Sequence, residues 1–201
     1  NGKTTTAHML GAVLESRGLT PRILGTLSGA RTTPEAPDLQ RRLAEFVAEG
    51  VDAVVMEVSS HAMVYHRVDG TEFDVVVFTN LGRDHLDLHE SMESYFRAKA
   101  ALFDPRLAAR GAVNVDDPYG QLLLDVASIE LTGFGRDLVA SVEVGVASHE
   151  FIWRDQRVSV PLGGDFNVMN SLAALTAATL LGIEPADAAA GLASVTPVPG
   201  R

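Results

Sequence analysis

The sequence predicts an α/β fold in which a mostly parallel β-sheet is flanked by helices. Two nearly continuous apolar runs, 52–58 and 73–79, are typical of strands buried on both faces of a parallel sheet. Segments with apolar residues at helical spacing alternate with such runs, and this alternation is the pattern of β-α-β units. Shorter alternating runs between 141 and 160 predict a small antiparallel β element beside the parallel sheet.

The boundaries of the elements follow from signals at their ends. The first predicted helix, 3–17, stops before Gly18, a residue type that favours helix C-termini. Pro185 suits the first turn of the last helix. The strands are short apolar or alternating runs bounded by turn residues. The predicted helices are 3–17, 38–49, 91–103, 118–126, 167–181 and 184–192, and the predicted strands are 22–25, 52–58, 73–79, 111–115, 142–146, 149–153 and 157–160.

Composition narrows the class of protein. With 201 residues, 46% of them apolar and 21% charged, the chain is typical of one globular domain. A net charge of −10 without a basic run argues against a nucleic-acid partner. The absence of cysteine excludes disulfides and thiolate metal sites and fits a cytoplasmic protein. No apolar run reaches the length of a membrane-spanning helix, so no membrane insertion is expected.

The first residues indicate a phosphate-binding loop. Gly2 lets the backbone approach an anion, Lys3 can reach the β- and γ-phosphates of a nucleotide, and the Thr4 hydroxyl can ligate Mg²⁺. The full motif has another glycine five residues before Gly2, so we expect the sequence to begin inside the motif. The alternative is an ordinary threonine N-cap before an ordinary helix.

Three polar positions lie after or near the predicted parallel strands, where α/β proteins bind ligands. Glu57 lies at the end of the predicted strand 52–58, where it could hold Mg²⁺. The alternative is an edge carboxylate without a metal. His85, in a run with two histidines and two aspartates, is a candidate metal ligand, and the alternative is a solvated histidine. Lys99 lies in the next predicted helix, where a solvated lysine is the simpler interpretation.

Four runs together resemble the Mur ligases, and the resemblance extends over essentially the whole chain. The runs are NGKTT at 1–5, TTPEAPDL at 32–39, EVSSH at 57–61 and FTNLGRDHLD at 78–87. The resemblance implies an ATP-dependent ligase of peptidoglycan synthesis. Such an enzyme would add a third amino acid, meso-diaminopimelate or L-lysine, to UDP-N-acetylmuramoyl-L-alanyl-D-glutamate through an acyl phosphate. It also implies that residues 1–201 are the central ATP-binding domain of a monomer, without the uridine-binding N-terminal and amino-acid-binding C-terminal domains.

The resemblance also implies a role for individual residues. The residues that would bind ATP are Asn1, Gly2, Lys3, Thr4, Thr5, Asn167, Asn170 and Arg201. The residues that would hold the UDP-muramoyl-dipeptide are Thr32, Thr33, Ser59 and Arg67. The residues that would bind two Mg²⁺ ions are Thr4, Glu57, His85 and Lys99, the last as a carbamate. Lys3, Glu57, His85 and Lys99 would be the catalytic residues.

Two positions depart from the family pattern, and two other functions stay open. Tyr65 replaces a frequent glutamine, and Phe166 replaces a frequent histidine before Asn167. Helix N-capping is the alternative role for Asn167 and Asn170. A folylpolyglutamate synthase-like ligase typically has Gly-Lys-Gly-Ser in the loop and lacks the run at 32–39. A nucleotide-binding switch module without ligase activity would have no use for His85 or Lys99.

Overall fold

The structure is a computed structural model, and it describes residues 1–82 and 89–197. Helices and strands alternate through most of the chain, as the sequence predicts. The helices are α1 (Lys3–Ser16), α2 (Ala36–Ala48), α3 (Ser60–Val64), α4 (Met92–Ala100), α5 (Pro118–Val126), α6 (Phe166–Leu180) and α7 (Pro185–Leu192), with 3₁₀ turns at Ala101–Phe103 and Arg136–Leu138. The strands are β1 (Pro21–Leu24), β2 (Ala53–Met56), β3 (Val76–Phe78), β4 (Arg110–Asn114), β5 (Glu130–Phe134), β6 (Val139–Val144), β7 (His149–Trp153) and β8 (Gln156–Val160).

The five parallel strands form two sheets, which confirms the predicted parallel pairing. β1 pairs with β2, and β3, β4 and β5 form the second sheet in that order. A cleft of about 570 Å³ separates β2 from β3, and apolar side chains of α1 such as Ala7, Leu10 and Leu14 line it. Helix α1 therefore lies along the cleft between the two sheets, and its first turn contacts the carboxyl end of β2 through Thr4 and Glu57.

Two elements are absent from the sequence prediction because their local signals are weak, and a third is shorter than predicted. Strand β5 contains Glu130 and Gly133, which are poor strand formers, and among the described strands it pairs only with β4. Helix α3 has five residues, too few to show a helical period. The predicted strand 73–79 is shorter in the structure, since β3 begins at Val76 and Phe73 makes only an isolated bridge to Ala108.

The antiparallel element lies in the predicted region, although its first strand, β6, is Val139–Val144 and not the predicted 142–146. Strands β6, β7 and β8 form a meander, and Phe151 pairs with Val158 across β7 and β8. Arg154 and Asp155 make the tight turn with positive φ angles of 48° and 61°, the conformation that hairpins with right-handed twist favour. Trp153, which is 1% exposed, packs from this sheet into the main core.

The main core connects the antiparallel sheet with helix α6. Val168, Leu172 and Leu175 of α6 are completely buried, and α6 packs on α1 and α7. This contact fixes the start of α6 relative to the start of α1. Among the helices of the described segments, none combines the length and apolar character that a membrane crossing requires.

Candidate active site

Helix α1 begins at the predicted phosphate loop, and the structure explains why residue 2 is glycine. Gly2 caps α1 with a φ of 81°, in the left-handed region that glycine adopts without strain. A Cβ at this position would lie 2.3 Å from Oδ1 of Asn170, so a side chain would also collide. Lys3 and Thr4 occupy the first turn of α1, where the positive end of the helix dipole favours an anion.

Glu57 lies at the carboxyl end of β2 and faces the phosphate loop. Its carboxylate accepts a hydrogen bond from the Thr4 hydroxyl at 2.9 Å and another from the Thr26 backbone N–H at 2.9 Å. The residue is only 3% exposed. A buried carboxylate next to a threonine hydroxyl offers the hard oxygen ligands that Mg²⁺ prefers, and in such sites phosphates and waters complete the coordination.

Asn167 and Asn170 form a polar ladder on the face of α6 that meets the phosphate loop. Asn170 Nδ2 donates to Asn167 Oδ1 at 2.9 Å, and Asn167 Nδ2 donates to the Gly163 carbonyl at 2.7 Å. Both residues are buried inside α6, whose N-cap is Asp165. The N-capping alternative for the asparagines is therefore wrong, and Asn170 stands directly against Gly2.

The residues at 32–33 pack on the carboxyl end of β2. The Thr33 hydroxyl donates to the Glu57 carbonyl at 2.8 Å and accepts from the Ser59 backbone N–H at 3.1 Å. Thr33 is fully buried, whereas Thr32 is half-buried and lies with its Oγ1 3.2 Å from Thr26 Oγ1. Thr33 thus ties the 32–39 run to the backbone that carries Glu57 and Ser59.

Arg67 reaches the same region and is held there by Glu35. Its Nε and one terminal nitrogen donate to the two oxygens of the Glu35 carboxylate at 3.1 and 2.9 Å. The other terminal nitrogen donates to the Thr33 carbonyl at 3.3 Å. The guanidinium carbon lies 5.4 Å from the centre of the Tyr65 ring, so the departure from the family pattern at position 65 supplies a cation–π contact. The Arg67 side chain is 10% exposed, which makes this a rigid arrangement.

A cavity of about 480 Å³ opens between these segments, and we call it the phosphate-loop cavity. Its walls include the positively charged side chains of Lys3, Arg31 and Arg67. It brings together the predicted residues Asn1, Gly2, Lys3, Thr4, Thr32, Thr33, Glu57, Ser59 and Arg67. Such a polar, cation-lined cavity at a helix N-terminus suits an anionic ligand.

Lys99 does not lie on a solvated helix surface. It is half-buried in the last turn of α4, and its Nζ lies 5.1 Å from the centre of the Tyr95 ring. Lys99 and Lys3 line the same small cavity together with Asn80 and Ser60. The structure therefore directs Lys99 toward the predicted site. Two further predicted site residues, His85 and Arg201, lie outside the described residues.

Sequence reasoning did not assign a role to two residues that hold the site together. The Thr26 backbone N–H anchors Glu57, and the Glu35 carboxylate anchors Arg67. Glu35 belongs to the distinctive run at 32–39, so the family resemblance of that run is the signal that could have identified it. Thr26 acts through its backbone, and no residue type signals that role.

Comparisons with known proteins agree with this geometry. Residues 1–178 match the model of the Mur ligase middle domain. The chain is 42% identical over 222 residues to the UDP-N-acetylmuramoyl-L-alanyl-D-glutamate–2,6-diaminopimelate ligase of Streptomyces avermitilis. It is also 42% identical over 226 residues to the ligase of the same name from Geobacter metallireducens. Each match covers 100% of this chain and 44% of the relative, so the chain spans less than half the length of these relatives.

Solved structures give the same result. A structure of a UDP-N-acetylmuramoyl-L-alanyl-D-glutamate–2,6-diaminopimelate ligase superimposes with a TM-score of 0.86 at 28% identity, covering 100% of this chain and 46% of that one. A MurF structure from Acinetobacter baumannii gives a TM-score of 0.83 at 25% identity, covering 100% of this chain and 45% of that one. The family match, the relatives and the shared fold establish that this chain belongs to the Mur ligase family and corresponds to its middle domain.

Proposed function

We propose that this chain is the ATP-binding part of a ligase that adds 2,6-diaminopimelate to UDP-N-acetylmuramoyl-L-alanyl-D-glutamate in peptidoglycan synthesis. The relatives at 42% identity are named for this reaction. The observation that carries the proposal is the contact of the Thr4 hydroxyl with the Glu57 carboxylate at 2.9 Å. This contact supports the proposal because it joins a hydroxyl of the phosphate loop to a buried strand-end carboxylate, and a nucleotide-bound cation needs oxygen ligands of these two kinds.

The residues at this contact fit a magnesium ion. A carboxylate has about four lone-pair sites, and the contacts of Glu57 with Thr4 and Thr26 leave capacity for a cation. Thr4 and Glu57 would hold the first Mg²⁺, and His85 with a carbamylated Lys99 would hold a second. When bound, the ions would offset the negative charge on the triphosphate and on the acceptor carboxylate.

The protein's own cations would bind and orient two anionic substrates. Lys3 would contact the terminal phosphates, and Arg67, with Thr32 and Ser59, would hold the UDP-linked dipeptide in the phosphate-loop cavity. Arg67 suits this task because Glu35 fixes its guanidinium before the ligand arrives. A preorganised donor of this kind costs little reorganisation in the reaction.

The reaction would proceed by activation of a carboxylate. A carboxylate oxygen of the substrate attacks the γ-phosphorus of ATP, the bond to the bridging oxygen of ADP breaks, and an acyl phosphate forms. The amine of the diamino acid then attacks the acyl carbon, loses a proton, and phosphate leaves. Lys3 stabilises charge that moves to the β-phosphate, and removal of one such partner typically lowers the rate by about 10²–10³.

The test is ATP-dependent phosphate release by the complete protein. Release should require both UDP-N-acetylmuramoyl-L-alanyl-D-glutamate and 2,6-diaminopimelate, and Glu57→Gln should abolish most of it. Glu93→Gln is a matched control, since Glu93 forms an exposed ion pair with Arg97. Phosphate release with L-lysine instead of diaminopimelate would show that L-lysine is the amino acid added. Release that requires folate, or that occurs equally without an acceptor, would refute the proposal in favour of a folylpolyglutamate synthase-like ligase or a switch module.

A further inference from the structure

A buried histidine connects the two sides of the proposed site. His89 is 3% exposed, its Nε2 lies 2.9 Å from the Ser60 hydroxyl, and its ring stacks on Tyr95 with centroids 4.6 Å apart and planes 18° apart. Ser60 begins α3 and Tyr95 lies in α4. We propose that His89 is a positioning residue that sets the end of β2 against α4, and so aligns Ser59 with Lys99. This inference rests on the proposed function, because those two residues would contact the substrate and the second metal ion.

On the first side, the contact acts on backbone that carries predicted site residues. Ser59 is the N-cap of α3, and its hydroxyl accepts from the Ala62 N–H at 3.1 Å. Ser60 follows it directly, so a shift of Ser60 moves Ser59. Glu57 is two residues before Ser59 on the same short connection after β2. The hydrogen bond between His89 and Ser60 therefore restrains the segment that presents Glu57 and Ser59 to the phosphate-loop cavity.

On the second side, the stack acts on the helix face that carries Lys99. Tyr95 is 5% exposed, and Lys99 lies four residues later, on the same face of α4. Lys99 Nζ lies 5.1 Å from the centre of the Tyr95 ring. The Tyr95 ring is thus packed between His89 and Lys99, and its position depends on both. Helices α3 and α4 pack on each other, and His89 contacts both of them, through Ser60 and Tyr95.

The contacts of His89 with Ser60 and with Tyr95 can be separated by substitution, and neither change is aimed at the edge-on contact of His89 with His61 at 6.2 Å. Glutamine can place an amide near the position of Nε2 and keep the hydrogen bond to Ser60, although it loses the stack. Phenylalanine keeps the stack on Tyr95 and loses the hydrogen bond. Alanine at position 60 removes the same hydrogen bond from the other side. Ser60→Ala and His89→Phe should therefore have effects on kcat that are not additive, because both remove one interaction.

The experiment measures kcat and KM in the complete protein. We expect His89→Phe to lower kcat about 10- to 100-fold, the effect of a misplaced reacting group, with a smaller change in KM for ATP. His89→Gln should recover part of the loss. Val158→Ala is the control: Val158 is fully buried in β8, away from the site, so its substitution should lower the melting temperature without changing kcat. If His89→Phe and Val158→Ala lower the melting temperature equally and neither changes kcat, His89 is only structural and the proposal is overturned.

A second measurement keeps this inference separate from the proposed function. Amide hydrogen exchange should become faster in both Ser60–Val64 and Met92–Ala100 in His89→Phe, and in neither segment in Val158→Ala. Unchanged exchange in either segment would overturn the positioning role whatever reaction the protein catalyses. A wild-type protein without ligase activity would instead refute the proposed function, and the exchange data would still decide on His89.

Discussion

A methyl group at Gly25 would collide with the Glu57 carboxylate, and this collision tests the central contact of the site. A Cβ built on Gly25 lies 2.0 Å from Glu57 Oε1 and 2.7 Å from Glu57 Cδ, too close for any real contact. Glu57 cannot simply rotate away, because Thr26 and Thr4 donate hydrogen bonds to its two oxygens at 2.9 Å each. Gly25→Ala must therefore displace the carboxylate or the strand that carries it.

The size of the effect follows from the hydrogen bonds at stake. A hydrogen bond to a charged group contributes about 1.5–3 kcal/mol, and the displacement would break one or both. Replacing glycine by alanine stabilises by about 0.4–1 kcal/mol through the unfolded chain when the native conformation allows it. We therefore expect Gly25→Ala to lower the free energy of unfolding by about 0.5–2.6 kcal/mol if one hydrogen bond breaks, and by about 2–5.6 kcal/mol if both break.

Urea unfolding measures this change, and two further variants identify its cause. Gly29→Ala is the matched control, since its Cβ would meet only the Arg42 guanidinium at 3.8 Å, an ordinary contact, and its effect should stay within about 0.5 kcal/mol. In a Glu57→Ala background the collision is gone, so Gly25→Ala should become nearly neutral. If Gly25→Ala destabilises that background as much as the wild type, the collision with Glu57 is not the cause.

Three other expectations concern the cationic and histidine side chains. In the complete protein, Lys99→Arg should reduce the ligation rate as much as Lys99→Ala, because arginine forms no carbamate. Acetate should partly rescue Lys99→Ala but not Lys3→Ala. A Lys99→Arg variant with a nearly wild-type rate would exclude the carbamate. Arg67→Ala should raise KM for the UDP-linked dipeptide far more than KM for ATP, and equal increases would contradict the division of roles. Burial lowers the pKa of His149 in the folded protein. Its contribution to the free energy of unfolding is therefore complete above the unfolded-state pKa of about 6.5. That contribution is lost as the pH falls toward the lowered folded-state pKa. Urea titrations at several pH values should show a weaker pH dependence in His149→Gln, whereas an unchanged dependence would refute that assignment.

The elements that the sequence predicted best have strong signals at their ends. Helix α5 was predicted as 118–126 and has those bounds, because Asp117 caps it by accepting from the Tyr119 and Gly120 N–H groups and Pro118 occupies its first turn. Strand β5 had no comparable signal, and it forms because β4 offers a paired edge. Local chemistry thus determined helix ends, while strand pairing depended on neighbours that are distant in sequence.

The candidate site shows the same division. The resemblance to the Mur ligases predicted roles for Glu57, Asn170 and Arg67, and in the described residues all three lie around the phosphate loop or its cavity. It could not identify their partners. Glu35 and Arg67 are 32 residues apart, and only the packing of the 32–39 run on the end of β2 brings them together. The pairing of two charges at such a separation depends on the whole fold.

The fold also explains how a protein with a net charge of −10 can present a site for anions. Charges on the outer surface are screened within about 8 Å at physiological ionic strength, so the distant carboxylates contribute little inside the cavity. Locally, the start of α1, Lys3, Arg31 and Arg67 supply positive potential. Glu57, in the same cavity wall, and Glu35 offset part of that charge, but Glu35 holds the Arg67 guanidinium in one orientation. Glu35 thus lowers the local attraction for anions but fixes the geometry of the cavity, and the proposed phosphoryl transfer between two anions would require such a fixed geometry.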